Sequence, residues 1–209
     1  DIISTHSGKD GIIGAIVGKI CKIKVVRTRH LQLPITSPFT YNLNTKVVGV
    51  CQAVCDDLIK RGVKKELVTR IYTGIDTNKY TPNFSINLKK EFSLSDDTVC
   101  IVIVAVLRAA KNHKLLIEAF NELNIENSAL FIVGDGPQKE NLQNLTKDKK
   151  NIFMLGNRND VNEFLGSMDI LVLPSNMEAI GGVVLEASSC EVATIASNVG
   201  GLGESVCDK

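Results

Sequence analysis

Tryptophan is absent from the 209-residue chain, and aromatic residues together make up 5% of it. Proteins that hold bases along single-stranded nucleic acid need stacking aromatic side chains and a basic groove. The formal net charge of +1 provides no such field, so we expect no nucleic-acid partner. No apolar run approaches the roughly 18 residues that a membrane-spanning helix requires.

Metal-binding cysteine patterns are also missing. The chain has no Cys-x-x-Cys pair, and no histidine lies near Cys51 and Cys55 to complete a zinc site. We therefore interpret the six cysteines as reduced, buried thiols of a cytosolic protein: Cys21, Cys51, Cys55, Cys100, Cys190 and Cys207. No signal peptide is visible, and because the first residue is Asp1 rather than Met we expect a fragment of a longer protein.

Short apolar strands alternate with amphipathic helices, which predicts an α/β fold with parallel sheets. Strands are expected near residues 1–5, 24–28, 45–50 and 67–72, and again near 98–107, 129–133, 151–155, 169–173 and 193–197. Residues 32–41 contain two prolines and are predicted to form a loop. Residues 76–87 lack periodicity and are predicted to link two units, 1–80 and 81–209.

The most informative stretch runs from residue 169 to residue 187. An apolar strand stops at Pro174, a loop carries Glu178, and Gly181 and Gly182 open a helix that carries Glu186. Free N–H groups and the positive dipole end of such a helix favour an anion. Carboxylates accept hydrogen bonds from hydroxyls. Together these features predict a site for a ligand with both phosphates and sugar hydroxyls.

Further polar or glycine residues follow other strands, where parallel sheets place their ligands. In the second unit these are Arg108, Lys111, Gly134, Gly136, Asn157 and Arg158. His30 follows a strand of the first unit, and for His113 we favour a helix-capping role. Gly200, Gly201 and Glu204 are either a plain turn or part of the same ligand site.

In order and spacing, several segments resemble the retaining glycosyltransferases of family 4. The matching segments are residues 1–19 (DIISTHSGKDGIIGAIVGK), 26–30 (VRTRH), 111–120, 134–137 (GDGP), 156–160, 174–186 with its two glutamates, and 196–204 (ASNVGGLGE). The resemblance implies the GT-B fold, in which two Rossmann-like domains face each other. It further implies that residues 1–80 are the C-terminal half of the acceptor-side domain. Residues 81–209 would be the nucleotide-sugar domain without its end.

The resemblance also implies roles for individual residues. Lys111 and Arg108 would contact the donor diphosphate, Glu186 the ribose hydroxyls, and Asn157 and Arg158 the base. Gly134 and Gly136 would keep the cleft floor narrow, and Gly181 and Gly182 would approach the phosphates. Glu178 and His30, the expected catalytic residues, would face the transferred sugar. The chain departs from the family by having Val106 where the family usually has arginine, and Cys51 where it has serine.

The implied reaction is the retaining transfer of a sugar from a nucleoside-diphosphate sugar to an acceptor hydroxyl. The absence of an Asp-x-Asp motif predicts that no metal is needed, and we expect no cofactor. The expected acceptor is a glycan or glycolipid of cell-envelope polysaccharide or lipopolysaccharide synthesis. The expected location is the cytoplasm, with peripheral association with the membrane left open. A nucleotide-sugar epimerase, a sugar phosphorylase and a nonenzymatic nucleotide-binding module remain as alternatives.

Overall fold

The computed structural model describes residues 1–206 and contains two parallel sheets. The first has the order β1-β2-β3-β4, with β1 Ile2–Thr5, β2 Lys24–Arg29, β3 Lys46–Gly49 and β4 Val68–Arg70. The second has the order β7-β6-β5-β8-β9, with β5 Val99–Val104, β6 Ser128–Val133, β7 Ile152–Gly156, β8 Ile170–Leu173 and β9 Ala193–Ala196. Every strand pair in the two sheets is parallel, which confirms the predicted fold class.

Helices connect successive strands of both sheets. They are α1 Gly8–Cys21, α2 Phe39–Asn42, α3 Gln52–Lys60, α4 Leu88–Glu91, α5 His113–Leu123, α6 Lys139–Thr146, α7 Val161–Phe164, α8 Gly182–Ser189 and α9 Leu202–Ser205. Three short helices, α2, α4 and α9, were not expected from the sequence. The predicted loop at 32–41 ends in α2, because Tyr41 is buried there, and α4 buries Leu88 directly after the predicted linker.

The second sheet contains the deeper core. All six residues of β6 are buried, and Phe131 packs against Phe92 and Phe153. Such continuous apolar strands occur where helices cover both faces of a parallel sheet. The chain order reverses between β5 and β8, so connections leave these two neighbouring strands toward opposite sides. Open α/β sheets bind ligands at this kind of switch point, outside the carboxyl ends of the strands.

The two units are joined by apolar and polar contacts. Ala179 and Ile180, in the loop after β8, belong to the same buried cluster as Val47, Cys51 and other residues of the first unit. Glu204 of α9 accepts hydrogen bonds from the N–H groups of Gln52 and Ala53, at 2.9 and 3.2 Å. The Glu204 carboxylate thus fills the N-terminal end of α3, where residue Cys51 makes no side-chain cap. The sequence left Glu204 either in a plain turn or at the ligand site. In the structure its carboxylate makes this contact between the two units.

Four of the cysteines are buried as expected. Burial raises the pKa of the Cys51, Cys55 and Cys190 thiols, and raises that of Cys100 to about 11. Cys21, at the end of α1, is exposed, so the expectation was wrong for this residue. Cys207 lies outside the described residues.

Within residues 1–206, no helix combines the length and the apolar character needed to cross a bilayer.

Candidate functional site

The turns after β5 and β8 lie side by side at the switch point of the second sheet. The N–H of Asn176 donates a hydrogen bond of 2.8 Å to the carbonyl oxygen of Ala110. This bond holds the β8 loop against the short 3₁₀ turn Ala109–Lys111. The arrangement brings Lys111 and Glu178 together, although 67 positions separate them in sequence.

Lys111 and Glu178 form an ion pair in which the ammonium group donates to the carboxylate. The two side chains keep 23% and 16% of their surface exposed. A partly buried pair of this kind is stronger than a surface pair, because solvent screens it less. The ammonium is thereby fixed at the carboxyl edge of the sheet, where an anionic ligand can contact it.

The N-terminal end of α8 lies beyond the same loop. Gly181 precedes the helix with φ of +63°, a conformation that favours glycine, and a Cβ there would lie 2.5 Å from Leu202. At Gly182, in contrast, an added Cβ would meet open space. Gly181 is therefore required by the backbone and its packing. The sequence prediction that Gly182 has a role rests on its place in the first turn of α8.

Glu186 projects from the second turn of α8 and is half-buried. Burial raises the pKa of its carboxyl group, while a hydrogen bond from Tyr80 and the charge of Lys79 act in the opposite direction. Tyr80 belongs to the linker, and burial together with Glu186 raises the pKa of its hydroxyl to about 12. The Tyr80 carbonyl also accepts a hydrogen bond of 2.6 Å from the Ser189 hydroxyl. Tyr80 of the linker thus lies beside the Glu186 carboxylate and α8.

Replacing Tyr80 with phenylalanine should raise the pKa of Glu186 further, because the hydrogen bond that favours the ionised carboxylate is lost. Carboxyl-carbon NMR during a pH titration would measure the change. Tyr72→Phe is the matched control, because the Tyr72 hydroxyl bonds to Glu204 instead. An unchanged Glu186 titration in Tyr80→Phe would contradict the assignment of this hydrogen bond.

Gly134 and Gly136 follow β6 and pack against the segment after β5. Their φ angles are +140° and +155°. Added Cβ atoms would lie 2.0 Å from the Ala105 carbonyl oxygen and 2.7 Å from that of Leu107. Only glycine therefore permits this close approach of the two strand-end loops.

Asn157 and Arg158 follow β7 and line a cavity of about 220 Å³ together with Val106, Gly134 and Asp135. The guanidinium of Arg158 is engaged elsewhere. It makes two hydrogen bonds of 2.7 Å to the Asp160 carboxylate and a weaker contact with Glu91. The backbone of this loop and Asn157 are thus better placed to contact a ligand than the Arg158 charge.

Arg108 and His113 lie on a separate cavity of about 200 Å³ that also includes Gln138. Within the described part of the chain Arg108 forms no ion pair, although its carbonyl oxygen accepts a hydrogen bond of 3.0 Å from the N–H of Lys111. The capping role favoured for His113 is wrong, because Asn112 occupies the cap position and His113 is the buried first residue of α5. Burial and the charge of Lys111 lower the pKa of His113 to about 4.

His30 lies in the first unit, directly after β2. Its Nε2 is 2.9 Å from Nδ1 of His6, and the two rings stack. Burial, reinforced by His6, lowers the pKa of His30, so the ring is neutral at physiological pH. No contact in the described residues joins His30 to Glu178, and its assignment to the same site stays a prediction.

Sequence reasoning missed two residues beside these groups. Tyr80 was missed because the linker shows no periodicity, although an isolated tyrosine among polar residues is a signal for a hydrogen bond at a buried edge. Gln32 was missed because it lies in the predicted loop. A Cβ at Gly200 would lie 2.4 Å from the Gln32 side-chain oxygen and 1.8 Å from the Glu178 carbonyl oxygen.

Comparison with known proteins gives consistent matches. The family model described as glycosyl transferases group 1 matches residues 85–209. An N-acetyl-α-D-glucosaminyl L-malate synthase of Bacillus anthracis is 27% identical across 98% of this chain. A UDP-Gal:α-D-GlcNAc-diphosphoundecaprenol α-1,3-galactosyltransferase of Escherichia coli is 31% identical across 96% of this chain. The chain spans 58% of the length of each of these two relatives.

Solved structures match over the whole chain. HepE of Anabaena in complex with UDP superposes with a TM-score of 0.88 at 22% identity, covering 100% of this chain and 62% of that one. The catalytic domain of starch synthase IV of Arabidopsis thaliana, bound to ADP and acarbose, gives a TM-score of 0.82 at 16% identity. This match covers 100% of this chain and 58% of that one. At these identities the likeness is one of fold.

Proposed function

Because the chain belongs to the group 1 glycosyltransferases, we propose that the protein transfers a sugar from a nucleoside-diphosphate sugar to an acceptor hydroxyl. The observation that carries this proposal is the contact between Lys111 and Glu178 at the switch point, beside the helix that bears Glu186. The cation, the helix N-terminus and the two carboxylates match the chemistry of such a donor.

Lys111 would bind the diphosphate and neutralise the charge that develops on it as the sugar leaves. The first N–H groups of α8 would add positive potential at the same place. To contact the diphosphate, the ammonium has to exchange part of its bond to Glu178 for phosphate oxygens. This exchange would release the Glu178 carboxylate toward the sugar, so the ion pair of the ligand-free protein would prepare both groups for the donor.

Glu186, which lies beside Tyr80, would accept hydrogen bonds from the two ribose hydroxyls. The cavity beside Asn157 would hold the base, with backbone groups making the contacts. Arg108 is a weaker donor ligand in this proposal, because it lines a different cavity. Retention of configuration, catalysis without a metal, and the participation of His30 follow from the family resemblance.

UDP is the donor nucleotide that we favour, since the names of a relative and of a structural neighbour both include it. An acceptor of envelope polysaccharide synthesis agrees with the diphosphoundecaprenol acceptor in the name of the Escherichia coli relative. We place the reaction in the cytoplasm, with peripheral contact with the membrane. The relatives are named as transferases or synthases, so the epimerase and phosphorylase alternatives are not favoured.

A thermal-shift panel of UDP-, GDP- and ADP-sugars tests the proposal. A donor present at about 100 times its Kd should stabilise the protein by roughly 2.7 kcal/mol. For a chain of this size that corresponds to an increase of about 5 to 10 °C in Tm. Release of the nucleoside diphosphate in the presence of an acceptor would separate a transferase from a binding module. A panel in which no sugar nucleotide changes the Tm would contradict the proposal.

A further inference from the structure

A cavity of about 340 Å³ opens at the carboxyl ends of β1 and β2, in the first unit. The side chains that give it its character are His6, Arg27, Arg29, His30 and Tyr41. Among residues 1–206, no aspartate or glutamate lines it. Its size lies at the lower end of the range for small-molecule sites, about 300 to 1,000 Å³.

Arg27 is the unusual member of this lining, because it is a cation with only 4% of its surface exposed. Its Nη1 donates a hydrogen bond of 3.2 Å to the Thr40 hydroxyl, and its guanidinium carbon lies 3.7 Å from the centre of the Tyr41 ring. The other side of the guanidinium rests on α1 at Gly11, where a Cβ would lie 2.4 Å from Nε. The group is thus held rigidly on both faces.

No carboxylate within residues 1–206 forms an ion pair with Arg27. Burial lowers the pKa of Arg27, which reflects the cost of keeping a desolvated charge without a counter-ion. The charge of Asp10 acts in the opposite direction on Arg27, but the Asp10 carboxylate is already satisfied by other groups. Its carboxylate accepts hydrogen bonds from the N–H groups of His6, Ser7 and Gly11 and from the Ser7 hydroxyl.

His6, His30 and Arg29 complete the polar lining of the cavity. His6 and His30 hydrogen bond to each other, and the second ring nitrogen of His6 is 3.0 Å from the Ser4 hydroxyl. Arg29 adds a second positive charge and holds the following loop through a bond of 2.8 Å to the Leu33 carbonyl oxygen. A ligand that entered here would meet two guanidinium groups and two imidazoles.

The segment that follows His30 leads from the cavity toward the proposed donor site. Gln32, two residues after His30, packs against Gly200, which also lies against the Glu178 carbonyl oxygen. A ligand in the cavity would therefore lie on the first-unit side of the sugar that the donor carries, which is the side from which an acceptor must approach.

From these contacts we propose that Arg27 and its neighbours bind an oxyanion, a phosphate or a carboxylate, on the acceptor substrate. The assignment of the anion to the acceptor substrate rests on the proposed glycosyl transfer, whereas the presence of an oxyanion site does not. The anion provides the counter-charge that Arg27 lacks and fixes the acceptor so that its hydroxyl faces the donor sugar.

The three histidines of the chain make the proposal measurable by NMR. Inorganic phosphate or malonate is titrated into the protein at constant ionic strength and pH, while the ring signals of the histidines are followed. We expect saturable shifts at His6 and His30. His113 lies two residues from Lys111, so it reports phosphate at the donor site instead. The two titrations show whether the cavity prefers a phosphate or a carboxylate.

Arg27→Lys should weaken binding of the preferred anion about tenfold or more, since the fixed pair of N–H donors is lost. The control is Arg61→Lys, which changes a surface arginine paired with Asp57. Because Arg27→Lys alters a buried position, a second pair of variants is needed. Leu31→Glu places a carboxylate at the exposed edge of the cavity and should abolish binding, whereas Leu33→Glu, outside the lining, should not.

Shifts confined to His113, or no saturation with either anion, would overturn the proposal. So would equal affinities in Leu31→Glu and Leu33→Glu. Binding of sugar nucleotides is measured separately, so a failure of the oxyanion site is distinguishable from a failure of the proposed transferase function.

Discussion

Replacing Lys111 with methionine should lower kcat for sugar transfer by about 10²- to 10³-fold, the loss typical for removing one group that stabilises transition-state charge. Methionine keeps the length of the side chain but removes the ammonium that contacts Glu178. The leaving diphosphate would then lose its main side-chain counter-charge. Steady-state kinetics with the donor identified in the thermal-shift panel would measure the loss.

Lys114→Met is the matched control, because Lys114 is a neighbouring lysine whose side chain is 67% exposed and pairs with Glu118 on the surface of α5. This variant should retain nearly full activity. The double variant Lys111→Met/Glu178→Gln removes the unpaired carboxylate that the single variant leaves behind. If Lys111→Met lost less than about threefold in kcat, the assignment of the diphosphate contact would be wrong.

Replacing Glu186 with alanine should weaken binding of the nucleoside diphosphate by about 10- to 100-fold, because hydrogen bonds to an ionised group contribute roughly 1.5 to 3 kcal/mol. Isothermal titration calorimetry would measure the change. The control is Glu122→Ala, an exposed glutamate on α5. An unchanged affinity in Glu186→Ala would contradict the ribose contact.

The wild-type affinity should also depend on pH through Glu186. In the proposed contact its ionised form would accept hydrogen bonds from both ribose hydroxyls, whereas the protonated form would accept them less well. Burial raises the pKa of this carboxyl group. As the pH is lowered, the affinity should therefore begin to fall at a higher pH than it would if Glu186 had the pKa of an exposed glutamate. The dependence should disappear in Glu186→Ala.

Much of the second sheet follows from its sequence, because continuous apolar strands and strand-end glycines are local signals. The β8 strand, the Glu178 loop and the start of α8 at Gly182 agree with the prediction. The pairing of Lys111 with Glu178 does not follow locally. It depends on β5 lying beside β8 in the sheet, which no local pattern specifies.

Other differences have equally specific causes. Burial of Tyr41 turns part of a proline-containing segment into α2, and burial of His113 overrides its tendency to act as a cap. The guanidinium of Arg158 pairs with Asp160 two residues away, and its expected place at the base stays a prediction. For Tyr41 and His113 burial in the folded chain decided the outcome, and the sequence alone does not specify which neighbours bury them.

The packing of the β8 loop has a consequence for engineering. Ala179 and Ile180 follow Glu178 directly and are buried among residues of the first unit, while Glu204 caps α3 from the other side of the junction. The shape of the loop after β8, which carries Glu178, therefore depends on packing against both units. Chimaeras that combine this second unit with the first unit of a relative should keep donor recognition only if the graft also carries a compatible surface around Cys51 and the start of α3.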